Sequence, residues 1–330
     1  MTTDTPRIIG IGNAIVDVIS HADDSFLENM GIEKGIMQLV ERERAELLYA
    51  AMSDRVQTPG GSVANTIAGL GRLGMEAAFI GKVRDDGLGR SYAQGMRDDG
   101  IAFPNAPVEN AELPTSRSMI FVSPDGERSM NTYLGAGADL SQDDVPEATF
   151  DGGGILFLEG YLFDKDEGKT AFRRAAQLIR AAGGRAGLTL SDPFCADRHR
   201  SDFKALISGE LDYVIGNEAE WTTLYECDLG HALAQAAEAC DTVVCTRSGD
   251  PVVVIRNGER VEVPVHRVTP VDATGAGDQF AAGFIYGYAL GLPAETCGRM
   301  GVIAAAEVIG HVGPRPQANV MALFREAGLV

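Results

Sequence analysis

From residue 7 to residue 309, short runs rich in β-branched and aromatic side chains recur between stretches of helical periodicity. The β-like runs lie near 7–18, 77–82, 154–160, 187–191, 212–216, 242–246 and 251–256, and the helical patterns cover 62–73, 88–99, 165–182, 231–239, 276–290 and 294–309. Strands that alternate with helices return in the same direction, so the pattern predicts an α/β fold: a mainly parallel sheet flanked by helices on both faces. With 330 residues and 45% hydrophobic side chains, the chain can bury a core large enough for that arrangement. No fixed-period repeat, low-complexity tract or Pro/Gly/Ser-rich linker divides it, which favours one domain over 1–330.

One region breaks the rhythm. Within 103–134, two β-like runs, Arg117–Ser123 and Glu127–Leu134, are joined across Pro124-Asp125-Gly126, a good hairpin turn. Paired with the segment Gly35–Val40, this hairpin would make a small accessory β-sheet contributed by about 13–40 and 103–135, a candidate lid. The open edge of such a lid is a surface through which a homodimer could form.

Charge narrows the partners. The 47 acidic and 28 basic side chains give a formal net charge of −19, a field that repels phosphate polymers and anionic headgroups. Nucleic acid and membrane surfaces are therefore not expected as partners, whereas a small anion such as ATP can still be held by backbone N–H groups and a divalent cation. No apolar run is long enough to cross a bilayer, and the leading segment Met1–Arg7 is unlike a cleavable signal. Five cysteines (Cys195, Cys227, Cys240, Cys245 and Cys297) show no C-x-x-C pair, so reduced thiols in a cytoplasmic protein are expected. His21, His199, His231, His266 and His311 are isolated from one another and read as ordinary polar residues.

The strongest local signal is Asp272-Ala273-Thr274-Gly275-Ala276-Gly277-Asp278, followed at once by the apolar helical run to Leu290. Small residues let successive N–H groups turn toward one point at a helix start, an anion hole, and Asp278 at its mouth could accept a proton from an attacking hydroxyl. A simple helix cap is the competing reading. Pro59-Gly60-Gly61-Ser62-Val63-Ala64-Asn65 also opens a helix, with Asn65 one turn in; by itself this is equally an N-cap. Asn13 and Asp17 interrupt the first strand, and alternation puts them on one face, where a carboxylate could take a vicinal diol or backbone N–H groups. Asn217 and Glu220 share a face of the next helix start, suited to hydrated magnesium or to a capping box.

Two other signals fail on inspection. Gly10-Ile-Gly12 lacks the third glycine of a dinucleotide fingerprint, where Ile15 stands, and Gly168-Lys169-Thr170 lacks the first glycine of a P-loop, where Phe163 stands.

Taken in order, G-x-G-N-x-x-x-D at 10–17, G-G-x-x-x-N at 60–65, N-x-x-E at 217–220 and D-x-x-G-A-G-D at 272–278 resemble the ribokinase-like (PfkB-type) carbohydrate kinase family. The resemblance runs from about residue 8 to Gly313-Pro314-Arg315-Pro316. It implies an ATP-dependent kinase with a β-lid over the phosphate acceptor. Asp278 would be the catalytic base, and Gly275, Ala276 and Gly277 the anion hole. Asn13, Asp17, Gly60, Gly61 and Asn65 would line the acceptor pocket. Asn217, Thr246 and Asp272 would serve the nucleotide, and Glu220 would position Mg2+ through water. The chain departs from the family where Thr246-Arg247-Ser248-Gly249-Asp250-Pro251 replaces T-x-G-x-x-G, and where Ala273 follows Asp272.

The segments 12–17, 117–122 and 129–136 look like bacterial adenosine-kinase-type members, with Met37 and Phe121 as apolar lid residues that could sandwich a purine. Adenosine is the leading acceptor, ahead of other nucleosides and ribose-like sugars. A non-catalytic nucleoside- or sugar-binding relative is the alternative of a different class, and a dehydrogenase a more distant one. An Asp278→Asn protein that binds acceptor without turnover would distinguish the kinase from the binding protein.

Overall fold

The computed structural model describes residues 5–265 and 268–330; the first residues of the leading segment, and His266, lie outside the described residues. The strands are β1 (Ile8–Ile11), β2 (Ile15–His21), β3 (Met37–Leu39), β4 (Val56–Gly60), β5 (Ala77–Ile80), β6 (Ser116–Val122), β7 (Arg128–Tyr133), β8 (Ile155–Glu159), β9 (Arg185–Thr189), β10 (Tyr213–Asn217), β11 (Thr242–Arg247), β12 (Asp250–Arg256) and β13 (Glu259–Val263). Eight form one sheet in the order β13-β12-β11-β10-β9-β8-β1-β5, parallel throughout except for β12 and β13, which run antiparallel at one edge. The expected mainly parallel sheet flanked by helices is what the chain builds.

Period-2 alternation sorts the strand side chains into two cores. Ile155 and Phe157 of β8 face one, with the helices Ser62–Arg72, Ala276–Ala289 and Ala294–Val308; Leu156 and Leu158 face the other, with the helix Asp166–Ala181. Asp166–Ala181 is amphipathic and aligned with its macrodipole, with Asp166 and Glu167 in its first turn and Arg180 in its last. Ala276–Ala289 instead has every residue from Gln279 to Ala289 buried. Its apolar character all round suits it to the middle of the molecule, and its N-terminus is thereby fixed rigidly.

The remaining five strands make a second sheet, β3-β7-β6-β2-β4. The hairpin β6–β7 turns where Pro124-Asp125-Gly126 was expected, with Gly126 at φ 87° and the Ser123 N–H donating to the Glu127 carbonyl at 3.0 Å. The segment Met37–Leu39 pairs parallel to β7, as expected for Gly35–Val40. The sheet also contains β2 and β4.

One reading is corrected. Residues 7–18 are not a single strand: β1 ends at Ile11 in the large sheet and β2 starts at Ile15 in the small one. At the break, the buried Glu159 carboxylate accepts from the Asn13 backbone N–H at 3.2 Å and from Asn13 Nδ2 at 2.9 Å, hydrogen bonds that replace the strand ladder. Asn13 therefore turns to Glu159 and does not share a strand face with Asp17. The Gly10-x-Gly12 spacing has a packing origin, because Val63 and Ile67 lie directly over Gly10 and Glu159 over Gly12.

Candidate active site

The helix Ala276–Ala289 starts at Gly275, which is in the left-handed region at φ 80° and has no room for a Cβ against Pro314. Before it, the Asp272 carboxylate organises the loop by accepting from the Thr274 and Gly313 N–H groups, both at 2.9 Å, and by pairing with Arg128 of β7. Burial pushes the Asp272 carboxyl up, but these N–H groups and Arg128 outweigh it and hold it below the usual carboxylate range. Asp272 is thus held within the loop, behind the helix start.

Asp278, in the first turn, accepts from Ser62 Oγ at 2.7 Å and Asn65 Nδ2 at 3.1 Å. Both donors come from the helix Ser62–Arg72, which opens at Gly61. Gly61 has φ 102°, and a side chain there would strike the Asn13 carbonyl. Burial pushes Asp278 up to about 6 against the pull of these two bonds. A carboxylate poised there can act as a base near neutral pH.

Asp17, on β2, lies over Gly60, where any Cβ would meet its carboxylate, so Gly60 is the residue that lets the acid lie flat across β4. Burial pushes Asp17 up to about 6 as well; the charges of Arg128 and Arg315 oppose this and the Asp278 charge adds to it. The Glu159 carboxyl is pushed by burial to about 7, against its bonds to Asn13 and to the Val63 N–H.

On the other side of Asp278, a cavity of about 170 Å³ brings together Asn217, Glu220, Thr246, Gly277 and Asp278, with Ser191 on its wall. Thr246 lies beside Asn217 in the parallel pair β10–β11. Asn217 and Glu220 form a full capping box: Glu220 Oε2 accepts from the Asn217 N–H at 2.8 Å, Oε1 from Asn217 Nδ2 at 2.6 Å, and Asn217 Oδ1 from the Glu220 N–H at 2.9 Å. Both carboxylate oxygens are engaged, so a divalent cation would reach Glu220 through water. Burial pushes Glu220 up to about 7. In the turn that departs from T-x-G-x-x-G, Ser248 takes φ 52° and Arg247 pairs with Glu218 at 3.1 Å. A further cavity of about 460 Å³ lies along the helix Ala294–Val308, with Val302, Ile303, Ala306 and Leu323 on its wall and Arg299, Glu307 and Glu326 among its lining.

Four residues of this site were not singled out in the sequence. Ser62 was within reach, since it lies inside the Gly-Gly motif. Glu159, Arg128 and Arg315 carry no local signature. Arg128 Nε and Nη2 are buried and have no hydrogen-bond partner among the described residues, donors that an anion would satisfy. Away from the site, Asp164, Cys195 and His199 approach within 4.8 Å of one another, but Asp164 is already held by Arg198 at 2.9 Å and His199 at 2.8 Å. Among the described residues no helix is long and apolar enough to cross a membrane.

Residues 34–319 match the model of the pfkB family carbohydrate kinases. The chain is similar to an uncharacterized sugar kinase of Archaeoglobus fulgidus, 29% identical over 75% of this chain and 96% of the relative, and to adenosine kinase 1 of Arabidopsis thaliana, 26% identical over 93% and 94%. Among solved structures it resembles a probable sugar kinase protein from Rhizobium etli, with TM-score 0.90, 41% identity and 99% coverage of both chains. It also resembles adenosine kinase from Sinorhizobium meliloti, with TM-score 0.89, 45% identity, and coverage of 98% and 99%. Glycines, buried acids and helix start thus fall together in a chain whose relatives are kinases of sugars and nucleosides, and the protein belongs to the pfkB family of carbohydrate kinases, phosphotransferases with an alcohol acceptor.

Proposed function

We propose that this enzyme transfers the γ-phosphoryl group of ATP to the hydroxymethyl oxygen of adenosine. The observation that carries the proposal is the placement of Asp278: it is held by Ser62 and Asn65, pushed up to about 6, and mounted at the start of a buried helix. The acceptor hydroxyl gives its proton to Asp278 as its oxygen bonds to phosphorus and the bond to the departing ADP oxygen breaks. The N–H groups of Gly275 and Gly277 receive the charge that develops, helped by the helix dipole, while that of Ala276 donates to the Ala273 carbonyl at 3.2 Å and joins them only by leaving it. Asp17 accepts from the vicinal hydroxyls of the ribose, Gly60, Gly61 and Asn65 shape the same pocket, and Asn13, turned to Glu159, serves it indirectly by fixing the start of β2.

Asn217 and Thr246, which line the cavity beside Asp278, serve the nucleotide. Asp272 serves it indirectly, by holding the loop. Glu220 would hold Mg2+ through water, and the ion would neutralise phosphate charge there. Arg128 adds unpaired donors from the small sheet, which acts as a lid excluding water from the transferring group.

Similarity to the Sinorhizobium meliloti adenosine kinase, at 45% identity, supports adenosine, and the probable sugar kinase protein of Rhizobium etli, at 41%, makes a sugar the competing acceptor. The test is ADP formation from ATP and Mg2+ with adenosine, inosine, ribose, fructose and 2-keto-3-deoxygluconate offered separately. Turnover with adenosine, lost in Asp278→Asn, is the expected result. Turnover with a sugar alone would replace adenosine as the acceptor, and none with any acceptor would favour a binding protein.

A further inference from the structure

We propose that Arg315 is a positioning residue that fixes the orientation of the Asn65 amide, so that Asn65 donates to Asp278; this rests on the reading of Asp278 as the base. Asn65 is 5% exposed, and its amide has two polar ends to satisfy. Nδ2 donates to Asp278 Oδ2 at 3.1 Å, and Oδ1 accepts from Arg315 Nε at 3.4 Å. Turning the amide over would set its oxygen against a carboxylate and its NH2 against a guanidinium, two repulsive contacts in place of two attractive ones.

Arg315 is itself held in place. Its Nη1 pairs with Asp99, at the end of the helix Gly87–Asp98, and its Nη2 lies 3.7 Å from Met96 Sδ. The segment that carries it is fastened on both sides, since Gln279 Nε2 donates to the Pro314 carbonyl at 3.0 Å and Arg72 donates to that of Pro316. Gln279 Nε2 also donates to the Asn65 backbone carbonyl at 3.0 Å, which pins the main chain but leaves the side-chain amide free to turn. The guanidinium at Oδ1 and the Asp278 carboxylate at Nδ2 together select its direction. A planar fork can hold Asp99 and Asn65 at once, as a lysine ammonium cannot.

Asp17 on β2 and Glu159 at the end of β8 are the other acids coupled to Asp278, and neither bonds to the Asn65 side chain. Without Arg315 the amide oxygen loses its donor and the amide is held only by its bond to Asp278, so one of the two bonds that favour the ionised form of that carboxyl is weakened.

The test follows the Asp278 carboxyl by 13C NMR titration, assigned by its loss in Asp278→Asn, in the wild type, Arg315→Met, Arg315→Lys, Asn65→Ala and the double variant Asn65→Ala/Arg315→Met. The kcat/KM–pH profile is measured alongside. Arg315→Met is expected to move the Asp278 titration upward by up to roughly one pH unit, the size reached when one hydrogen bond to a charged group is lost outright. Arg315→Lys should show the same displacement, and Arg315→Met should add nothing once Asn65 is alanine. A wild-type titration in Arg315→Met overturns the proposal. So does a displacement that persists in the Asn65→Ala background or is abolished by lysine, because charge alone would then be the cause. Asp99→Asn, which loosens the anchor without touching Asn65, should move the titration in the same direction by less. The NMR result stands without turnover, so a failed kinase reading would appear separately, as absent ADP formation in the wild type.

Discussion

Arg128 on β7 and Asp272 in the loop before the helix Ala276–Ala289 form an ion pair between the two sheets' layers, with side chains only 7% and 6% exposed. Taking one partner from a buried pair leaves the other uncompensated. Arg128→Met should therefore destabilise the protein by about 3 kcal/mol in chemical denaturation. Arg128→Met/Asp272→Asn should recover much of that loss, yet remain impaired in turnover because the donors of Arg128 are still missing.

Asp278→Asn should lower kcat by roughly 10²–10⁴-fold with little change in acceptor binding, as expected for loss of a general base. Calorimetric binding of adenosine beside an ADP-formation assay separates the two effects.

The pH profile follows from the same carboxyl. A base that titrates at about 6 is active when ionised, so kcat/KM should fall as pH drops through 6. An acid limb nearer pH 4 would mean that Asp278 is not the group observed.

Stability should move in the opposite sense. The folded state raises Asp278 from 3.8 to about 6, so between those values the native protein holds a proton that the unfolded chain has released, and stability falls as pH rises. Above pH 6 the whole cost is present. Asp278→Asn should therefore stabilise the protein by roughly 2–3 kcal/mol at pH 8, and the gain should vanish below about pH 4. Thermal melts across pH check it.

Gly61→Ala should cost at least about 2 kcal/mol, since the residue is at φ 102° and a methyl would meet the Asn13 carbonyl. A melt of Gly61→Ala against wild type, both without ligands, is sufficient.

The helix starts at Gly61, Asn217 and Gly275 were legible because each is written in a few adjacent residues. Arg128 and Arg315 were not, for they meet Asp272 and Asn65 across 144 and 250 positions of chain. The passage from β1 to β2 was hidden for a different reason. Val16 and Val18 continue the apolar character of Ile8–Ile11, and only Glu159, brought from β8, makes a break at Asn13 favourable. β4 escaped notice because Thr58-Pro59-Gly60 has the composition of a turn. Its place at a sheet edge tolerates the proline, which has no N–H to donate.

Asp17, Glu159, Glu220 and Asp278 all have carboxyls pushed by burial to between about 6 and about 7. Near neutral pH such a group of acids is only partly ionised, and a cationic ligand arriving beside it would expel protons into the solvent. The heat of Mg2+ binding should accordingly vary with the ionisation enthalpy of the buffer, and the slope of that variation counts the protons released.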